Sequence, residues 1–238
     1  ICISLGASDC SLDEYTYCDK PGIENFAMHE YDKRDLFPIL KEIKAINPDV
    51  KIMASPWSCP KWMKVNNLQE LKPFDSWTSG QLNPKYYQDY AAYFVKYIQA
   101  MEAEGFKIDA VTIQNEPLNR GNSMSLYMTW QEQRDFVKSA LGPAFEKAGI
   151  KTKILVYDHN YNYDEDKAEN FDQKQYPLKI YEDADAAKYI DGAAFHAYGG
   201  DKEELLKIHN GRPDKNLYFT EMSIGLWGEG YSFAKDLM

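Results

Sequence analysis

Two glutamates close short apolar runs in this chain, Val111-Thr112-Ile113-Gln114-Asn115-Glu116-Pro117 and Leu217-Tyr218-Phe219-Thr220-Glu221. A strand that stops on a carboxylate presents that acid at the rim of a sheet, and two such strands in an alternating β–α chain aim both acids into one cleft. Retaining cleavage of a glycosidic bond needs this layout. One carboxylic acid protonates the leaving oxygen while a second carboxylate, about 5–5.5 Å away, attacks the anomeric carbon. Asn115 can donate to a sugar hydroxyl beside the reacting carbon, and the ring of Pro117 restrains Glu116 toward an extended backbone. Read alone, Glu116 is also compatible with being one of 37 acids, placed in a solvated loop; the surroundings decide.

Those surroundings are aromatic and polar. Met53–Lys64 follows an apolar run and carries two tryptophans beside prolines, Trp57 between Pro56 and Pro60 and Trp62 two residues past Pro60, rigid surface of the kind that stacks on sugar rings. Trp57, nearer the strand end, reads as a sugar contact; Trp62 is equally compatible with packing on a helix. Ala193-Ala194-Phe195-His196-Ala197-Tyr198 ends another run with an imidazole and a phenol two residues apart, on one side by strand periodicity. One can bond a sugar hydroxyl while the other orients a glutamate, although a strand-end histidine is also a common structural hydrogen-bonder.

Asp158, Asn160, Asn162 and Glu169 stand at EF-hand positions, but Tyr163 occupies the position that needs glycine, and a strand precedes the loop. Asp158 and His159 are therefore expected to line the same cleft. No other cluster has metal spacing, so a metal-free and cofactor-free mechanism is expected.

The elements that must hold these residues alternate from end to end. Apolar, β-branched runs predict strands at Ile1–Leu5, Val50–Ala54, Ala110–Gln114, Lys153–Tyr157, Ala193–His196 and Leu217–Thr220. Asn83-Pro84 opens a helix with Tyr87, Tyr90, Phe94, Ile98 and Met101 at three- and four-residue spacing, ending at Gly105. The capping-box pair Thr129 and Glu132 opens another that ends near Gly149, and Asp32–Ile46 is a third, stopped by Asn47-Pro48. Repeated alternation implies parallel strands with right-handed crossovers. Because no glycine-rich phosphate turn follows any strand, the expected fold is an α/β barrel of the (β/α)8 type, with six of eight units recognisable.

Composition bounds the function. The chain has 238 residues, is 44% hydrophobic and carries a formal charge of −10 with a pI near 5.0. One core and one domain over residues 1–238 are expected. Acidity and the lack of a basic stripe exclude nucleic acid as a partner, and the apolar runs are too short to span a bilayer. Residue 1 falls inside a strand-like stretch, so any export leader is expected to have been removed or to lie outside these residues. Cys2, Cys10, Cys18 and Cys59 form no CxxC pair; buried free thiols are expected, with a Cys10–Cys18 disulfide as the alternative.

At these residues the chain resembles glycoside hydrolase family 30, which includes glucosylceramidases, endo-xylanases and endo-β-1,6-glucanases. The matching stretches are Gly6-Ala7-Ser8-Asp9 with Tyr15-Thr16-Tyr17, Ala54–Lys64, Val111–Leu118, Gln133-Arg134-Asp135-Phe136, Asp158-His159-Asn160, Phe195–Tyr198 and Phe219-Thr220-Glu221. The resemblance implies a (β/α)8 barrel with an attached β-sandwich and a retaining mechanism. It casts Glu116 as acid/base and Glu221 as nucleophile, with Asp9, Trp57, Asn115, His196 and Tyr198 around the innermost sugar. Asp158, His159 and Trp227 complete the expected substrate-binding set.

Asn119–Ser123, Leu71–Trp77 and Asn160–Tyr163 resemble the bacterial endo-β-1,6-glucanase branch, which implies a secreted or periplasmic enzyme acting on a polysaccharide. Exo-acting, glucosylceramidase or xylanase activity within the family, and non-catalytic sugar binding, are the alternatives. As acid, Glu116 is expected to have a pKa raised by anionic Glu221. Two departures stand out. Cys2 occupies a position where the family has arginine, and the family's first and last barrel strands and its sandwich have no counterpart, so the missing wall is expected from residues outside this chain.

Overall fold

The computed structural model describes residues 1–162 and 172–222. Trp227, and the Tyr163 and Glu169 positions of the EF-hand pattern, lie outside the described residues.

Six parallel strands form one sheet: β1 (Cys2–Ser4), β2 (Met53–Ser55), β3 (Ala110–Thr112), β4 (Lys153–Asn160), β5 (Ile190–His196) and β6 (Asn216–Glu221). They pair strictly in chain order, from Cys2↔Met53 through Met53↔Ala110 and Ala110↔Lys153 to Gly192↔Asn216. That order separates the two solutions open to an alternating chain. A doubly wound sheet reverses direction at a switch point, whereas one-way winding coils into a barrel wall. The chain is a half-barrel of the TIM type, and each predicted strand appears at its place. Gly192 permits the β5–β6 approach, since a Cβ there would run into the Asn216 backbone.

The helices pack on the outer face. Helix α1 spans Phe37–Ile46, and α2 (Tyr87–Ala103) follows a 3₁₀ turn in which the Asn83 side chain accepts from Lys85 N–H at 3.1 Å. The predicted stripe of α2 is buried: Tyr87, Tyr90, Phe94, Ile98 and Met101, with Tyr93 and Tyr97 beside them. The Thr129–Glu132 capping box closes as expected at the start of α3 (Trp130–Phe136).

Two of the predicted helices run unbroken to their expected ends but are not α-helical throughout. A π segment over Asp32–Leu36 precedes α1, and another over Val137–Leu141 separates α3 from α4 (Gly142–Ala148). Each is followed by a proline in the next turn, Pro38 and Pro143. Proline donates no N–H and its ring crowds the carbonyl four residues back, so a wider turn accommodates it.

All four cysteines are free; Cys18 and Cys59 are buried as expected, whereas Cys2 and Cys10 are exposed. Among the described residues the sheet ends at β1 and β6, each pairing on one side only. Phe219 on β6 is 55% exposed, and a cavity of about 500 Å³ at the lower part of the inner face is lined by Ile1, Met53, Ala110 and Tyr218 among others. No helix of the described residues is long and apolar enough to cross a membrane.

Candidate active site

The strands deliver their chemistry at one rim because their ends are bent there on purpose-built hydrogen bonds. Glu116, Tyr157 and Asp158 adopt left-handed φ values of 44°, 73° and 63°, a conformation unfavourable to L side chains that persists only where the surroundings enforce it. Glu116 is thus not extended, as Pro117 alone suggested. Its N–H donates to Asp158 O at 2.9 Å, Asn115 N–H donates to Pro56 O at 2.8 Å, and the Gln133 side chain accepts from Tyr157 N–H at 3.0 Å. Gln114, fully buried, donates to the carbonyls of Trp57 (2.7 Å) and Asn115 (2.9 Å), locking two rim loops together.

Asp158 sits at the floor, 1% exposed. It accepts from Ser55 Oγ of β2 (2.6 Å), Thr112 Oγ1 of β3 (2.7 Å) and Thr220 Oγ1 of β6 (2.7 Å), and stands 3.1 Å from His196 Nε2 of β5. Its carboxylate is engaged by these protein groups, and as expected Asp158 lines the cleft. His196 turns its other nitrogen, Nδ1, to Glu116 Oε1 at 3.2 Å. Glu116 Oε2 accepts from the side-chain amides of Asn119 (2.9 Å) and Asn122 (2.7 Å). Across the cleft, Tyr198 Oη donates to Glu221 Oε1 at 3.0 Å. Rather than splitting between a sugar hydroxyl and a glutamate, as their spacing suggested, each contacts a glutamate, His196 facing Glu116 and Tyr198 facing Glu221.

At least one oxygen from each glutamate and a nitrogen of His196 lie within 4.8 Å of one another. These groups could face a cation only if His196 offered a lone pair, and both of its nitrogens already face carboxylate oxygens. Beside them opens a cavity of about 630 Å³, lined by Asp9, Trp57, Asn115, His196, Tyr198 and Glu221. Asn115 Nδ2 is buried with no hydrogen-bond partner among the described residues, a donor left for something in that cavity. Cys2 and Cys10 line the same cavity, Cys2 where the resemblance leads one to expect arginine.

Two expectations fail here. His159 does not line the cleft: it is fully buried, with Nδ1 accepting from Asn160 N–H at 2.8 Å and lying 3.9 Å behind Glu116 Oε1. A register shift between Tyr157 and His159 swings it off the rim. The second concerns proton affinity. Burial pushes the Glu116 carboxyl up, but the hydrogen bonds from His196 and the Asn119 amide outweigh it and hold the group at about 2, below rather than above the usual range.

Glu221 is the raised one, chiefly by burial, with the charges of Glu116 and Asp158 adding. Burial alone would lower His196, yet Asp158 and Glu116 lift it to about 10. Trp62 proves to be a packing residue. Its Nε1–H donates to Cys18 O at 2.7 Å and its ring meets Tyr86 edge-on at 5.0 Å.

The residues that sequence reasoning missed are Gln114, Asn119, Asn122 and the three hydroxyls on Asp158. Asn119 and Asn122 carried a signal, falling three and six residues after Glu116; the hydroxyls carried none.

The arc, its rim and its carboxylate pair define a TIM-barrel glycosidase scaffold, and the comparisons place it. The glycosyl hydrolase family 30 TIM-barrel domain matches residues 1–233, and the chain belongs to that family. It is 35% identical over 250 residues to the endo-1,6-beta-D-glucanase BGN16.3 of Trichoderma harzianum, covering 97% of this chain and 48% of that protein. It is 30% identical to the lysosomal acid glucosylceramidase of Mus musculus, covering 94% and 43%. Among solved structures it is similar to the endo-beta1,6-glucanase BT3312, with a TM-score of 0.92 at 64% identity, covering 96% of this chain and 49% of that one. The chain thus spans about half the length of the relatives it matches.

Proposed function

We propose that residues 1–238 form, as one domain, the catalytic arc of a retaining β-glycoside hydrolase that cuts β-1,6-glucan internally. The observation that carries this reading is the spacing of Glu116 and Glu221: one oxygen of each lies within 4.8 Å of the other although their strands, β3 and β6, are separated in the sheet by β4 and β5. An inverting enzyme needs about 6.5–9.5 Å to admit a water between its carboxyls, so the gap suits direct attack.

In this reading Glu221, oriented by Tyr198, attacks the anomeric carbon while Glu116 protonates the departing oxygen, and water then reverses the exchange with Glu116 as base. Asn115 Nδ2 meets the hydroxyl next to the reacting carbon, where a hydrogen bond that strengthens toward the transition state contributes to rate. Trp57 and Asp9 hold the same sugar. The β-1,6 linkage is supported by the names of the similar glucanases. A polymeric substrate of that kind supports a secreted or periplasmic location. The open edges at β1 and β6, together with the greater length of the relatives, support closure of the barrel by strands from outside these residues.

Reducing-end release from β-1,6-, β-1,3- and β-1,4-glucans and xylan by the closed barrel tests the assignment. Mixed oligomers from β-1,6-glucan alone are expected. Single sugars released stepwise would favour exo action, and tight oligosaccharide binding without new reducing ends would leave only a sugar-binding role.

A further inference from the structure

Resting on the glutamate pair just proposed, we infer that His196 is the resting store of the proton that Glu116 delivers to the leaving oxygen, so that acid catalysis runs on a shared Glu116–His196 unit rather than on a carboxyl that is itself protonated between turnovers. The argument begins with donor counting. An ionised carboxylate only accepts, and a neutral imidazole has a single N–H. His196 meets carboxylate oxygens at hydrogen-bond distance on both nitrogens, Glu116 Oε1 at 3.2 Å and Asp158 Oδ1 at 3.1 Å. Satisfying both contacts requires either an imidazolium or one protonated carboxyl.

Asp158 is the poor host for that proton, because hydroxyls of Ser55, Thr112 and Thr220 already donate to its oxygens. Glu116 is a poor resting host as well, since two amides donate to Oε2. The proton therefore rests on the ring, and Nδ1 hands it to Oε1 when a glycosidic oxygen arrives. The charged and titratable groups facing the imidazole are Glu116 from the segment after β3, Asp158 and His159 from β4, and Glu221 from β6, whose Oε2 lies 3.7 Å from Nε2, with Tyr198 ring-edge on at 6.1 Å. Three of these are carboxylates, which favour the cationic ring. The raised proton affinity of His196 and the lowered one of Glu116 agree with this placement.

The cycle balances. In the first half, the Nδ1–H bond of His196 breaks as an O–H bond forms on Glu116. That proton passes to the glycosidic oxygen while the C–O bond breaks onto it and Glu221 bonds to the anomeric carbon. In the second half, water gives its proton to Glu116 and thence to Nδ1, its oxygen bonds to the anomeric carbon, and Glu221 leaves as carboxylate. The ring is an imidazolium at the start and again at the end.

Side-chain ¹⁵N NMR of histidine-labelled protein reads the claim directly, and with only four histidines in the chain the assignment is tractable. At pH 8 both His196 nitrogens are expected to be protonated; a ring with one bare nitrogen at that pH would overturn the inference. A second readout is the alkaline limb of kcat/KM. His196→Gln should move it downward by about 2 pH units or more, toward ordinary carboxyl values, while turnover of an aryl glycoside whose leaving group needs no proton falls much less. An unmoved limb would make His196 a structural prop. If Glu221→Gln retained activity, the glutamate pair itself would fail, an outcome separable from the NMR result.

Discussion

The carboxylate of Asp158 and the hydroxyl of Thr220 meet at 2.7 Å although 62 residues separate them in the chain. Through the same carboxylate, β2, β3, β5 and β6 are tied at their upper ends. Asp158→Asn breaks the buried contact between His196 Nε2 and its carboxylate, leaving Glu116 on the other nitrogen, and should lower unfolding free energy by about 3 kcal/mol, at the low end for breaking a buried ion pair. Thr220→Val, which removes one donor, should cost about 1 kcal/mol. Urea titration of both variants checks the ranking; equal effects would contradict a carboxylate that serves as the common anchor.

Asn119 and Asn122 supply two donors to one oxygen of Glu116 and sit on a part-exposed loop. Replacing both with alanine should raise the proton affinity of Glu116 and lower kcat on glucan about tenfold, the equivalent of about 1.4 kcal/mol. The melting temperature should hardly change. Unaltered kcat would show the two amides to be incidental to the chemistry.

The response of stability to pH combines two opposed groups. His196 is raised from 6.5 to about 10, so its contribution is complete below pH 6.5 and is lost as pH rises through about 10. Lys64 is lowered from 10.5 to about 8, chiefly by burial; its three N–H groups are shared among the carbonyls of Ser76, Trp77, Ser79 and Ser125, with no carboxylate partner among the described residues. The folded state releases that proton first, so stability rises with pH above about 8. The expected curve falls from pH 6.5 to 8 and flattens toward 9. Denaturant titrations at these three values test it, and in Lys64→Met the decline should continue without the flattening.

Among the described residues the edges of β1 and β6 are unpaired and Phe219 is exposed, which leaves strand-pairing surface facing solvent. Expressed alone, residues 1–238 should elute as concentration-dependent oligomers in size exclusion, and a longer form that completes the wall should run as a monomer. A stable, active monomer of the short form would contradict the proposed closure.

Much of the architecture was legible because parallel strands covered on both faces read as continuous apolar runs, as Ala110–Gln114 and Ala193–His196 do, and because Asn83-Pro84 and Thr129–Glu132 announce their helices locally. The meeting of Glu116, Glu221, His196 and Tyr198 at one rim followed from strand-end position, but that His196 and Tyr198 each contact a glutamate did not. What stayed hidden depends on distant partners. Burial of His159 follows from a register shift in β4, the left-handed turn at Glu116 from its bond to Asp158, and the low proton affinity of Glu116 from a histidine 80 residues away. The π segments were within reach, since Pro38 and Pro143 stand inside otherwise helical patterns.

The pairing of Glu116 with Glu221 is most directly tested by trapping the closed-barrel enzyme with an activated 2-deoxy-2-fluoro-β-glucoside extended by β-1,6-linked glucose, followed by peptide mapping in a mass spectrometer. The sugar label is expected on Glu221 alone, with release restored on adding an acceptor sugar. A label on Glu116, or hydrolysis that inverts the anomeric centre without any covalent adduct, would contradict the account.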